Sequence, residues 1–139
     1  MERKGINSLK GVVFTVGVIS LKLALNNIST VSEIAFPKRV EKINMDYNVV
    51  KSLSGIRFPE TLVEFRMNNN ELASVDFDIF PANLNKLELG WNRLTGLPPS
   101  FPMNLTHLNL NNNNIRSIMG ITFPESLIVL DLSHNQIEN

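Results

Sequence analysis

The sequence contains no cysteine. That excludes a disulfide framework and any thiolate metal site, and it agrees with a reducing compartment, so the cytoplasm is the expected location. Net charge is missing too, because 13 Lys and Arg balance 13 Asp and Glu. No overall field draws the chain toward nucleic acid or an anionic membrane, and neither is an expected partner. The longest apolar stretch, Gly11 to Leu21, is about 11 residues, where a spanning helix needs about 20, so membrane insertion is not expected. There is no Gly-rich phosphate loop, no metal-spaced histidine cluster and no nucleophile motif, and hence no cofactor or enzymatic role to expect. What remains is 139 residues, 43% hydrophobic and 19% charged, which suits one ordinary domain.

A repeat organises those residues. The spacing L-x-x-L-x-L-x-x-N-x-L-x-x-L is met by Leu105, Leu108, Leu110, Asn113, Ile115 and Ile118. It recurs with first slots at 18, 40, 62, 84, 105 and 127, in steps of 22, 22, 22, 21 and 22. Between these motifs lies a second signature, "GIRFPETL", "GITFPESL", "IAFPKRV", "DIFPANL", "PSFPMNL" and the degenerate "GVVFTVGV". Its phenylalanine is Phe14, Phe36, Phe58, Phe80, Phe101 and Phe123, followed by proline in five of six units.

These motifs resemble those of the leucine-rich repeat family over essentially the whole chain. The resemblance implies an α/β-type leucine-rich repeat solenoid: a short parallel β-sheet on the concave side, and a mostly non-helical convex side of turns and extended segments. Residue chemistry agrees. Alternation in x-L-x-L sends the leucines inward, where they stack on their equivalents in neighbouring turns. Proline after each phenylalanine fixes φ and forbids helix continuation. Asn26, Asn48, Asn70, Asn92, Asn113 and Asn135 occupy the inward polar slot, where an amide that both donates and accepts can pair the backbone of successive turns. In the run Asn111 to Asn114, register makes Asn113 the structural one and sends Asn111 and Asn112 to solvent.

The expected organisation is a single domain over residues 1–139, with a partial unit at 1–17, belonging to a longer array. Neither end carries a recognisable cap, although Ile6, Leu9, Val12 and Phe14 are placed to cover the first coil. The strand around Leu130 is expected to have nothing over it, which leaves self-association through open ends as a further expectation. "MERKGINSLKGVVFTVGVISL" also has the layout of a secretory signal. The repeat register, which places Val18, Leu21, Leu23 and Asn26 in their slots, argues against that reading.

Candidate chemistry is sparse. His107, Asp131 and Ser133 supply the residue types of a hydrolase triad, but on an open surface that cannot exclude water or hold an oxyanion. Asp76 and Asp78 lie on the linker side and read as a solvated face. The outward strand positions are more informative, being free of core duty. A patch of Lys42, Tyr47, Glu64, Arg66, Lys86, Glu88 and Trp91 combines charges of both signs with the only Tyr and the only Trp. Tyr, Trp and Arg dominate interface energetics, so this patch is the expected protein-binding surface. A plainer reading stays open, in which Lys42, Glu64 and Lys86 merely pair across strands. The functional expectation is a non-catalytic module that binds a protein partner through its concave face. The alternatives are an assembly subunit that uses its uncapped ends, or a repeat fragment of a larger receptor, effector or kinase.

Overall fold

A computed structural model describes residues 5–139. Residues 1–4, and with them Arg3 and Lys4 of the signal-like stretch, lie outside the described residues. Six three-residue strands, β1 (Ser20–Lys22), β2 (Lys42–Asn44), β3 (Glu64–Arg66), β4 (Lys86–Glu88), β5 (His107–Asn109) and β6 (Val129–Asp131), form one parallel sheet in sequence order. Each pairs with the next in the register that the repeat demands: Leu21 opposite Ile43, Phe65 opposite Leu87, Leu108 opposite Leu130. The chain therefore advances by one coil per repeat, as a solenoid does.

Inward leucine slots make the core. Leu23, Met45, Met67, Leu89 and Leu110 are fully buried, as are Ile28, Val50, Leu72 and Ile115 beyond the turn. Leu9 is buried below the first coil, with Ile6, Val12 and Phe14 packed partly against the same core.

The asparagine slot joins the coils as its chemistry requires. Asn70 Nδ2 donates to Met45 O of the preceding coil (3.0 Å) and to Met67 O of its own (3.4 Å), while its Oδ1 accepts the Val50 N–H (3.0 Å). Asn48, Asn92, Asn113 and Asn135 repeat the pattern, each donating to the coil before it.

On the convex side, each proline after the phenylalanine opens a tight turn into the next strand motif: the carbonyls of Pro37, Pro59, Pro81, Pro102 and Pro124 accept the N–H three residues on. The phenylalanines themselves stack in a spine, with ring centroids 5.9 Å apart for Phe36–Phe58, 5.3 Å for Phe58–Phe80 and 5.2 Å for Phe101–Phe123. Among the described residues the only helical segment is a 3-10 turn, Phe77–Ile79. Its cause is local. Three residues before the spine phenylalanine, Gly11, Glu33, Gly55 and Gly120 all have φ between 61 and 76. At that slot the fourth coil has Phe77, a bulky residue for which a left-handed backbone is costly. The chain there makes a 3-10 turn instead, capped by Asp76, and buries the Phe77 ring between Phe80 and Phe101.

Candidate functional site

The sheet presents four columns of outward positions, one residue per coil in each. The first two columns hold most of the charge. Lys42 lies 3.9 Å from Glu64, Lys86 lies 3.6 Å from Glu64 and 3.5 Å from Glu88, and Glu88 also accepts from Asn109 Nδ2 at 2.9 Å. Cross-strand pairing of Lys42, Glu64 and Lys86 is therefore present. Lys42 is exposed and Glu64, Lys86 and Glu88 are half-buried at the surface, where such a pair is worth about 1 kcal/mol.

The third column, Ala24, Asp46, Asn68, Gly90, Asn111 and Ser133, departs from the expectation that it is solvated. Asp46 is only 5% exposed. Its Oδ1 accepts the Asn68 N–H of the next coil (2.8 Å), and its Oδ2 takes Arg66 Nε (3.1 Å) and Nη2 (2.9 Å). Asn68 Oδ1 in turn accepts the Gly90 N–H (2.8 Å). Asn111 is half-buried rather than turned to solvent; Nδ2 donates to Asp131 Oδ2 (3.2 Å), and Oδ1 is shut from water and has no partner. That oxygen sits over Gly90, where a Cβ would overlap it, so the glycine is what admits the Asn111 amide. Asp46 and Asn68 thus cap backbone N–H groups of the following coil, while Asn111 ties its coil to Asp131. Their role was hidden because alternation alone assigns the column to solvent.

The fourth column holds the least expected feature. Leu25, Tyr47, Asn69, Trp91, Asn112 and His134 all have positive φ, between 51 and 58. One left-handed residue per coil turns the chain off the strand so that the following asparagine can enter the core. Asn and His tolerate that conformation; Leu, Tyr and Trp do so at a cost of about 1–2 kcal/mol. Asn112 thus has a backbone role beside the ladder amide of Asn113, which accounts for a second asparagine in the run. Tyr47 is 55% exposed and Trp91 58% exposed despite that cost.

Seven expected site residues, Lys42, Tyr47, Glu64, Arg66, Lys86, Glu88 and Trp91, fall on three consecutive coils and form one continuous surface. Tyr47, Arg66 and Trp91 border a shallow concavity of about 230 Å³ whose floor includes Asp46, Asn68 and Asn111. The triad residue types are not assembled. His107 Nδ1 pairs with Thr106 Oγ1 (2.9 Å), while Ser133 Oγ donates to Asp131 Oδ1. That bond, with the Ser133 backbone N–H, holds the Asp131 carboxyl below its ordinary 3.8. Asp76 and Asp78 are engaged separately, Asp76 as the cap of the 3-10 turn and Asp78 with Ser100 Oγ (2.9 Å).

Comparison with known proteins adds the family. Models described as Leucine Rich Repeat match residues 83–103 and 104–125, and a further Leucine Rich repeat model matches 124–139. Residues 83–139 match leucine-rich repeats, and the solenoid is of that type. The matched segments cover the coils from the fourth onward, and the same ladder and sheet register carry the repeat back through the first three. No curated protein sequence matches the chain. Among solved structures it is similar to YopM from Yersinia enterocolitica WA-314, with a TM-score of 0.76 and 25% identity over 93% of this chain. The leucine-rich repeat chain described here spans only 27% of YopM. Repeats of this family are in general protein-interaction modules, and among the described residues no helix is long and apolar enough to cross a membrane.

Proposed function

We propose that the protein is a non-catalytic binding module that recognises a protein partner through its concave face, centred on Tyr47, Arg66 and Trp91. The observation that carries this reading is the pair of aromatic rings held exposed on a left-handed backbone. Asparagine fills the same column at Asn69 and Asn112 with less strain, so Tyr47 and Trp91 cost stability and return nothing to the core. Strain kept at an exposed aromatic is what a binding surface explains and a fold alone does not. The flanking ion pairs of Lys42, Glu64, Lys86 and Glu88 set the polar rim, where charge contributes to register and to encounter more than to affinity.

The test places a photo-crosslinking residue at Tyr47 or Trp91, and in parallel at Met103 or Met119 on the convex side. The partner recovered in the cell extract is then purified and its affinity measured. Crosslinks from the concave positions and a loss of roughly 30-fold in the Arg66→Glu/Trp91→Ala variant are expected. Crosslinks from the convex side alone, with full affinity in that variant, would sink the reading.

A second reading is favoured by the sixth coil. Leu130 is 38% exposed where its equivalents are at most 6%, and Ile128 beside it is 77% exposed. This supports stacking of a further coil on β6, supplied by a neighbouring copy or by a longer array. Sedimentation velocity across a concentration series tests the first source: reversible growth of the species supports it, and a monomer throughout speaks against it.

A further inference from the structure

We propose that the concavity between Tyr47 and Trp91 is a saccharide site that takes one neutral pyranose ring. The two aromatics stand two coils apart, which at strand spacing is about 10 Å, with Asn69 between them. A pyranose presents apolar C–H faces and a rim of hydroxyls. It therefore suits a dish with aromatic walls and an amide floor.

Charge decides against the other small ligands. Arg66 and Asp46 form a two-point pair, and Asp46 spends its remaining oxygen on a backbone N–H. The two charges of the pair cancel, so it offers no net charge to a phosphate or an ammonium group. The hydrogen-bonding capacity that remains is neutral and of both kinds. Asn68 Nδ2 makes no bond among the described residues, and the Asn69 amide, which carries both a donor and an acceptor, is likewise uncommitted. A hydroxyl both donates and accepts, so vicinal hydroxyls match such a set; a burst of unpaired amides beside a neutralised ion pair has no better complement of this size. Asn111 Oδ1 is closed to water over Gly90, so the hydroxyls meet the amides of Asn68 and Asn69 instead.

This inference goes beyond the protein-partner reading and stands without it, since the ring can be a free saccharide or a sugar carried on a protein. The test titrates the intact chain with methyl glycosides of glucose, galactose and mannose and with N-acetylglucosamine. Trp91, the only tryptophan, reports by fluorescence, and the Asn68 and Asn69 side-chain amides report by NMR. Saturable millimolar binding is expected from at least one of them, weakened roughly tenfold by Asn68→Ala and by Trp91→Asn in variants whose backbone spectra stay folded. Inorganic phosphate and acetyl-lysine amide are expected to leave these signals unmoved. A glycoprotein, measured before and after enzymatic removal of its sugar chains, separates the two sources: binding lost with the chains supports the site and assigns it to protein-borne sugar. Binding that survives their removal, with no glycoside bound, overturns the saccharide assignment while leaving protein recognition in place. Saturation by phosphate or acetyl-lysine amide overturns it as well, as does the absence of a saturable shift from every glycoside and the glycoprotein.

Discussion

Asparagine carries most of the structure at the scale of single residues, and it does so in three different ways. At Asn70 the amide bonds four backbone groups, and one of them, the buried Val50 N–H, has no other partner. Asn70→Ala should therefore cost about 2 kcal/mol by urea titration, whereas Asn135→Ala, in a partly exposed coil, should cost clearly less. At Asn112 the backbone conformation is what matters, and at Asn111 the side-chain amide donates to Asp131 of the next coil. Periodicity made the ladder legible, because its slots recur at fixed spacing. It could not reveal the left-handed column, since Leu25, Tyr47 and Trp91 are residue types that ordinarily avoid positive φ. The same strain gives a prediction with an unusual sign. Tyr47→Asn and Trp91→Asn should each raise stability by about 1 kcal/mol by chemical denaturation, while weakening capture of the partner.

Elements here are too short to stand alone, so each strand and turn is defined by its neighbours in adjacent coils. The convex phenylalanine spine shows this. Phe58 touches Phe36, Phe65 and Phe80, three contacts from three coils, and Phe58→Ala should cost about 3 kcal/mol or more in thermal or chemical unfolding. Turns and extended linkers on that side were legible from Phe-Pro; the 3-10 turn at Phe77–Ile79 was not, because it arises where Phe77 takes the left-handed slot of its coil and turns its ring into the core. In β6, Asp131 binds Ser133 twice and Asn111 once. Its folded pKa is depressed, so the unfolded chain takes up the proton first as pH falls. The contribution is complete above the ordinary 3.8 and is lost as pH drops through the lower folded value. Amide exchange at Ser133 should accordingly quicken, relative to Asn68, only below that range.

The whole molecule follows from stacking. Each coil contacts only the coils before and after it, so stability is close to a sum of nearest-neighbour terms, and the coil with one neighbour is the weakest. Hydrogen exchange should therefore show β6 opening before β3, at a lower free energy than global unfolding. The overall architecture was legible because one pattern, repeated six times, leaves a single way to bury all the leucines at once. The proposed recognition surface was only half legible: its charges and aromatics stand at outward slots, but Asp46, Asn68 and Asn111, which line the concavity, are recognisable only once adjacent coils are in place. What unites these scales is the claim that strain at Tyr47 and Trp91 is retained for binding. Its most direct test is the affinity of the crosslink-identified partner for the Tyr47→Asn/Trp91→Asn variant. A variant at least as stable as the parent but bound roughly 30-fold more weakly or worse is the predicted result. Undiminished affinity would contradict the account.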